Sequence, residues 1–206
     1  MLVRTSFSRK HQKKMIEIFP GEYYATKDHD VILTTLLGSC VSVCLHDPVN
    51  RISGLNHIMI STKTTFSERN LTADTRYGIH AMEMLINQMV KYGADRRYIK
   101  AKVFGGGKVL NQDDNSIAYN NINFALDYLK QENFEVLSQD TGGKHGRKIF
   151  FLSNNFKIYL RRIQIKSILD KTYEKEQKII KTYNKKDKEE SNLTFFDKME
   201  ENNENF

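Results

Sequence analysis

The chain has 206 residues, 39% of them hydrophobic and 28% charged, and its 32 Lys and Arg against 25 Asp and Glu give a net charge of +7. That length fits one domain, or one domain with a tail, and the apolar share is enough to bury a core. No run approaches the roughly 18 apolar residues of a membrane helix. No apolar stretch with a small-residue cleavage site follows the basic start (Arg4, Arg9, Lys10, Lys13, Lys14). A membrane span, a secreted disulfide scaffold and a collagen-like or wholly disordered chain are thereby excluded. The expectation is a soluble, cytoplasmic protein.

Residues 1–19 read as a basic N-terminal segment ahead of a folded domain over 20–165. Val31 to Leu37 is a predicted buried strand. Gly38-Ser39-Cys40 interrupts it, and a second strand follows with Val41, Val43 and Leu45 on one face. His46-Asp47-Pro48 makes a turn, and ISGLNHIMIS, Ile52 to Ser61, reads as the next strand. Asp74 to Tyr92 is a predicted helix: Ile79, Met82, Ile86, Met89 and Val90 follow its period, and Gly93 stands at the C-cap. Ile99 to Phe104 alternates apolar residues with Lys100 and Lys102, the pattern of a half-buried strand. Gly105-Gly106-Gly107 marks a sharp turn or a close backbone approach.

Asn120 to Glu132 predicts a second helix with Ile122, Ala125, Leu126 and Leu129 inward. FEVLSQ, RKIFFLS and FKIYLRRI predict three further strands. Asn154-Asn155 suits a tight hairpin between the last two, because Asn tolerates positive φ. Strands in hairpins plus two main helices predict an α+β fold: a layered sandwich of mostly antiparallel strands, single-domain, with a charged C-terminal extension. The extension, residues 166–206, holds 9 Lys, no Arg and 10 Asp and Glu, so it carries −1 and leaves +8 on the body. Its apolar residues Ile168, Leu169, Tyr173, Ile179 and Ile180 make only a thin stripe. It reads as a solvated or helical tail, with a partner-binding helix as the alternative.

Cys40 is the first candidate for chemistry. A glycine-led break between two apolar strands can project its thiol and leave main-chain N–H groups pointing outward. The competing reading is a buried structural cysteine, since free Cys is among the most buried residue types. Cys44, inside the apolar run, reads as core. In an extended segment the two lie about 13 Å apart, beyond disulfide reach. His57, in LNHIMI, is either a satisfied core histidine or the base for a thiol on the adjacent strand. GGGK (Gly105 to Lys108) fails as a phosphate loop, with Lys102 in place of the first Gly and Val109 in place of Ser or Thr. The scattered histidines predict no metal site. The basic body suggests nucleic acid as a partner, but its cations are spread along strands and no recognition motif accompanies them, so a solvated basic face is the expectation.

TTLLGSCVSVCLHDP, GLNHIMIS, RYGIHAMEMLI, IKAKVFGGGKVL, NNINFALDYL and DTGGKHGRKIFF occur in this order. Together they resemble the chemoreceptor glutamine deamidase family, CheD, across Tyr23 to Ile163. The resemblance implies an enzyme that hydrolyses glutamine side-chain amides on methyl-accepting chemotaxis receptors. It implies Cys40 as nucleophile, His57 as base and Thr34, six residues before the Cys, as the group that orients the imidazole. Thr35 is expected to face the other way in an extended strand. Backbone N–H groups near Ser39 and Cys40 would hold the oxyanion. No metal or organic cofactor is implied. The partners implied are the receptors and a CheC-type phosphatase of phosphorylated CheY, with no nucleic acid and no membrane insertion. The alternative function is a non-catalytic adaptor that binds such a phosphatase or the receptor. The chain departs from the family pattern at Ser61 (usually Pro), at Ala118 (often Gly) and in the length of its tail.

Overall fold

The computed structural model describes residues 4–9, 11–60, 73–108 and 116–163. The expected tail from Lys166 lies outside the described residues, as does Ser61. Among the described residues the strands are β1 (Arg4–Ser8), β2 (Lys13–Glu17), β3 (Tyr23–Thr26), β4 (Val31–Leu37), β5 (Val41–Asp47), β6 (Ile52–Asn56), β7 (Lys100–Gly105), β8 (Glu135–Thr141), β9 (Gly146–Leu152) and β10 (Ile158–Ile163). The helices are α1 (Ala73–Lys91) and α2 (Ser116–Gln131). The strands form two five-stranded sheets, ordered β1-β2-β4-β9-β10 and β3-β6-β5-β7-β8. Pairing is antiparallel except for β2 with β4 and β7 with β8. The α+β layered sandwich expected from the sequence is the fold observed.

Period-2 patterning makes the layers. On β5 the odd residues Val41, Val43 and Leu45 pack against Met82, Leu85, Ile86 and Met89 of α1 and Phe124, Ala125 and Leu129 of α2. Both helices therefore cover the outer face of the second sheet. The even residues Cys40 and Cys44 point the other way, into a core shared with Val31, Leu33 and Leu37 of β4, Ile149 and Phe151 of β9, and Ile16. That core lies between the two sheets. Among the described residues no helix is long and apolar enough to cross a membrane.

Several expectations change. Residues 1–19 do not stand apart from the domain: β1 and β2 are strands of the first sheet, and β2 lies parallel to β4 with Ile16 opposite Leu33. Ile16 and Ile18 are buried, whereas the lysines beside them are not, so the charge conceals a half-buried strand. β6 stops at Asn56 instead of running to Ser61, for a reason given below. α2 begins four residues earlier than predicted. In the β9–β10 hairpin the positive φ falls on Phe156 (φ 58), not on an Asn. Burial explains it: the Phe156 ring stacks on His46 at 5.2 Å and packs against Phe151 at 5.4 Å, and these contacts offset the left-handed backbone.

Candidate active site

Gly38-Ser39-Cys40 is the corner where the chain leaves β4 in the first sheet and enters β5 in the second. All three carbonyls of this corner are held. Gly38 O accepts from Gly107 N at 2.8 Å and Cys40 O from Gly106 N at 2.8 Å, and Ser39 O accepts from Asn121 Nδ2 at 3.4 Å. The glycines after β7 are what allow this approach. Gly105 has φ +116, and a Cβ there would lie 2.2 Å from Cys40 O. In a trans peptide the N–H points opposite to the C=O. Fixing the Gly38 and Ser39 carbonyls therefore also fixes the N–H groups of Ser39 and Cys40, aimed away from Gly107 and Asn121.

His57 follows β6 and is held through its own main chain. Its N–H donates to Glu22 O at 2.9 Å, and its carbonyl accepts from Gly21 N at 2.9 Å. One residue earlier the β5–β6 ladder is broken. Val43 N–H donates to the Asn56 side-chain Oδ1 at 2.9 Å, and Ser42 Oγ takes the Asn56 carbonyl at 2.5 Å. Pairing resumes at Val41 and Ile58, which exchange bonds of 3.1 and 2.7 Å. This register places Met59 opposite Cys40 and His57 opposite Ser42, in step with the Cys44–Leu55 pair. Cys40 and His57 thus share the face turned toward the first sheet, as diagonal neighbours on adjacent strands. Such neighbours have Cα atoms about 7–8 Å apart, within the reach of an imidazole.

The third residue at the imidazole is Thr35. Its Oγ1 is 2.8 Å from His57 Nδ1 and donates to Ile18 O at 2.7 Å. Thr34, expected in this place, is on the opposite face of β4, where its hydroxyl donates to Ile149 O at 2.7 Å. Val31, Leu33 and Leu37 face the inter-sheet core, so Thr35, in step with them, does too, and Thr34 does not. The Thr35 hydroxyl has one proton, already given to Ile18 O. It therefore accepts from His57, so Nδ1 carries the imidazole proton and the Nε2 lone pair is the proton acceptor. The Ile18 carbonyl also favours the charged ring, but burial dominates and lowers the His57 pKa to about 3.

Both Cys40 and His57 are 1% exposed. The thiol projected toward solvent, expected from the glycine-led break, is instead enclosed between the sheets. Cys44 is the core residue predicted: it is fully buried, and burial pushes its thiol well above the ordinary range. Both cysteines are free thiols. Among the described residues no three His, Cys, Asp or Glu cluster in a way that would hold a metal ion. Asn121 is a site residue that the sequence motifs do not single out. It is fully buried, and besides Ser39 O it binds Ile60 N at 2.8 Å through Oδ1 and Ile60 O at 3.2 Å through Nδ2. It thus ties α2 to both the cysteine corner and the histidine segment. A polar residue between Ala118 and Ala125 on the core face of a helix was the available signal.

A family model described as CheD chemotactic sensory transduction matches residues 59–162, a stretch that begins just past His57. A probable chemoreceptor glutamine deamidase CheD of Laribacter hongkongensis is 41% identical over 161 residues, covering 78% of each chain. A protein of the same description from Shewanella oneidensis is 40% identical over 159 residues and 77% of each chain. Another, from Agrobacterium fabrum, is 46% identical over 140 residues, 67% of this chain and 74% of its own. Relatives at 40% identity or more that match across most of both chains, together with a family model over half of the sequence, show that the chain belongs to the CheD family.

Proposed function

We propose that the chain is a protein-glutamine deamidase that converts glutamine side chains of chemotaxis receptors to glutamate, with Cys40 as nucleophile and His57 as general base. The single observation that carries this reading is the string from the Ile18 carbonyl through the Thr35 hydroxyl to His57 Nδ1, on the face that also bears Cys40. It holds the imidazole in the tautomer whose Nε2 accepts a proton, as the third member of a catalytic triad does. The names of the relatives supply the substrate class.

The chemistry follows from the amide. His57 Nε2 takes the thiol proton, and the Cys40 sulfur attacks the carboxamide carbon. The C–S bond forms as the carbonyl electron pair moves onto oxygen. The N–H groups of Ser39 and Cys40, held in one orientation through the Gly38 and Ser39 carbonyls of the same peptides, stabilise that oxyanion. The imidazolium then protonates the amide nitrogen, the C–N bond breaks and ammonia leaves a thioester. Water, deprotonated by the same imidazole, attacks the thioester. The C–S bond breaks, the thiol regains its proton, and glutamate is released. The chain supplies nucleophile, acid and base, and the sequence of steps calls for no metal or organic cofactor. The protein would work in the cytoplasm, on the Glu- and Gln-rich helices of the receptor, with a CheC-type phosphatase as a further partner.

Burial adds a condition. A site with both reactive residues 1% exposed reacts only after it opens to admit the glutamine. The same burial favours a second reading, an adaptor that binds a CheC-type phosphatase or the receptor while the thiol stays enclosed. One experiment separates the two. A receptor cytoplasmic fragment incubated with wild-type protein should gain one dalton per modified glutamine by mass spectrometry. Cys40→Ala should lose that activity by several orders of magnitude, and Cys44→Ala should keep it. No mass change with wild type, together with undiminished chemotaxis in a Cys40→Ala strain, would favour the adaptor.

A further inference from the structure

We propose that Arg147, clamped by Asp140, is a positioning residue for the oxyanion-binding peptide that presents Ser39 N–H, an inference that rests on the deamidase reading. Arg147 is the second residue of β9 in the first sheet and pairs with Leu37, the residue before the cysteine corner. Asp140 is on β8 in the second sheet, opposite Phe104. Their ion pair, Nε to Oδ1 at 2.7 Å, joins the two sheets beside the corner where the chain crosses between them. The Arg147 side chain is only 5% exposed. Its other two nitrogens also bind the loop: Nη1 donates to His145 O at 3.0 Å and Nη2 to Gly142 O at 2.6 Å. Arg147 thus binds the Asp140–His145 loop at three points, while Arg162 Nη2 meets the other oxygen of Asp140 at 2.6 Å.

That loop grips the glycine strip after β7. Gly142 N donates to Gly105 O at 2.9 Å, and Lys108 N donates to Gly143 O at 2.7 Å. The strip has no slack. A Cβ at Gly107 would lie 2.4 Å from His145 O, and one at Gly105 would lie 2.2 Å from Cys40 O. The other edge of the strip carries the N–H groups of Gly106 and Gly107, which hold the carbonyls of Cys40 and Gly38. A continuous path of short contacts therefore runs from Arg147 through the loop and Gly107 to the Gly38 carbonyl, whose peptide presents Ser39 N–H. Arg147 touches neither thiol nor imidazole along this path. Its effect is on the direction of oxyanion donors, where an error of about 1 Å costs on the order of 100-fold in rate.

The test compares two reactions of the same thiol. Alkylation of Cys40 by iodoacetamide displaces iodide at a saturated carbon and forms no oxyanion. Deamidation needs the oxyanion site. Arg147→Lys keeps the charge, but one ammonium cannot meet three divergent acceptors. The expected result is a fall of about 100-fold in deamidation kcat, KM within about twofold, and a Cys40 alkylation rate within about threefold of wild type. Unchanged kcat overturns the proposal. So does an alkylation rate that changes in parallel with kcat, because a general loosening of the fold moves both. If Arg147→Lys does not fold, Asp140→Asn releases the guanidinium from its carboxylate and is read by the same two rates. A wild-type protein that alkylates yet never deamidates a receptor fragment overturns the deamidase reading itself, whereas an active wild type with an equally active Arg147→Lys overturns only the role of Arg147.

Discussion

Replacing Thr35 by Val removes one hydroxyl at nearly constant shape, and the effect can be worked from the contacts. The hydroxyl accepts His57 Nδ1–H at 2.8 Å and donates to Ile18 O at 2.7 Å. Losing it strips a fully buried imidazole of one acceptor and loosens the tautomer that presents Nε2. A buried group left unsatisfied costs about 1–3 kcal/mol. The Ile18 carbonyl remains at the ring as a substitute acceptor, which keeps the loss near the middle of that range. About 1.5–2 kcal/mol in the transition state corresponds to a roughly 10- to 30-fold fall in kcat. Thr34→Val is the matched control. Its hydroxyl bonds Ile149 O on the far face of β4, so it should lower stability by about 1 kcal/mol and leave kcat within about threefold. The assay is the initial rate of mass gain on a receptor fragment over a range of fragment concentrations, beside urea denaturation of each variant. Thr35→Val at the wild-type rate, or Thr34→Val as the more damaging change to kcat, would refute the assignment.

Stability should also report the buried histidine. Folded His57 is held neutral, its pKa lowered to about 3 by burial, while an unfolded histidine titrates near ~6.5. Between those values the unfolded chain binds more protons, so stability is complete above ~6.5 and declines as pH falls toward 3. The urea midpoint should drop between pH 6.5 and 4.5, and His57→Gln should flatten that drop. Since burial also lowers the pKa of His46, the difference between the two proteins is the quantity to read, and equal slopes would contradict the account. Gly105→Ala should cost several kcal/mol in denaturant unfolding and abolish measurable deamidation, because both its φ of +116 and the 2.2 Å approach to Cys40 O forbid a Cβ. A well-folded, active Gly105→Ala would show that the glycine strip does not shape the cysteine corner.

The sequence by itself determined the elements whose patterning is local. The helical spacing of Met82, Ile86 and Met89 and the alternation of Ile99, Ala101 and Val103 were readable because each residue's direction is set by its chain neighbours. The adjacency of the strand after Cys40 and the strand before His57 was legible too, since a short turn leaves β5 and β6 side by side. Tertiary structure decided what depends on distant partners. VILTTLL is apolar toward both faces, so nothing local says whether Thr34 or Thr35 looks inward; the second sheet decides it by covering the face of Leu33 and Leu37. Lysines beside Ile16 read as a basic leader until β4 offers that strand a partner. Phe156 takes a left-handed backbone suited to Asn because His46 and Phe151 reward the ring. The enclosure of Cys40 and the nearness of Asn121 to Ser39 arise from contacts between segments tens of residues apart. Such contacts are fixed by packing two sheets face to face, and no local period encodes them.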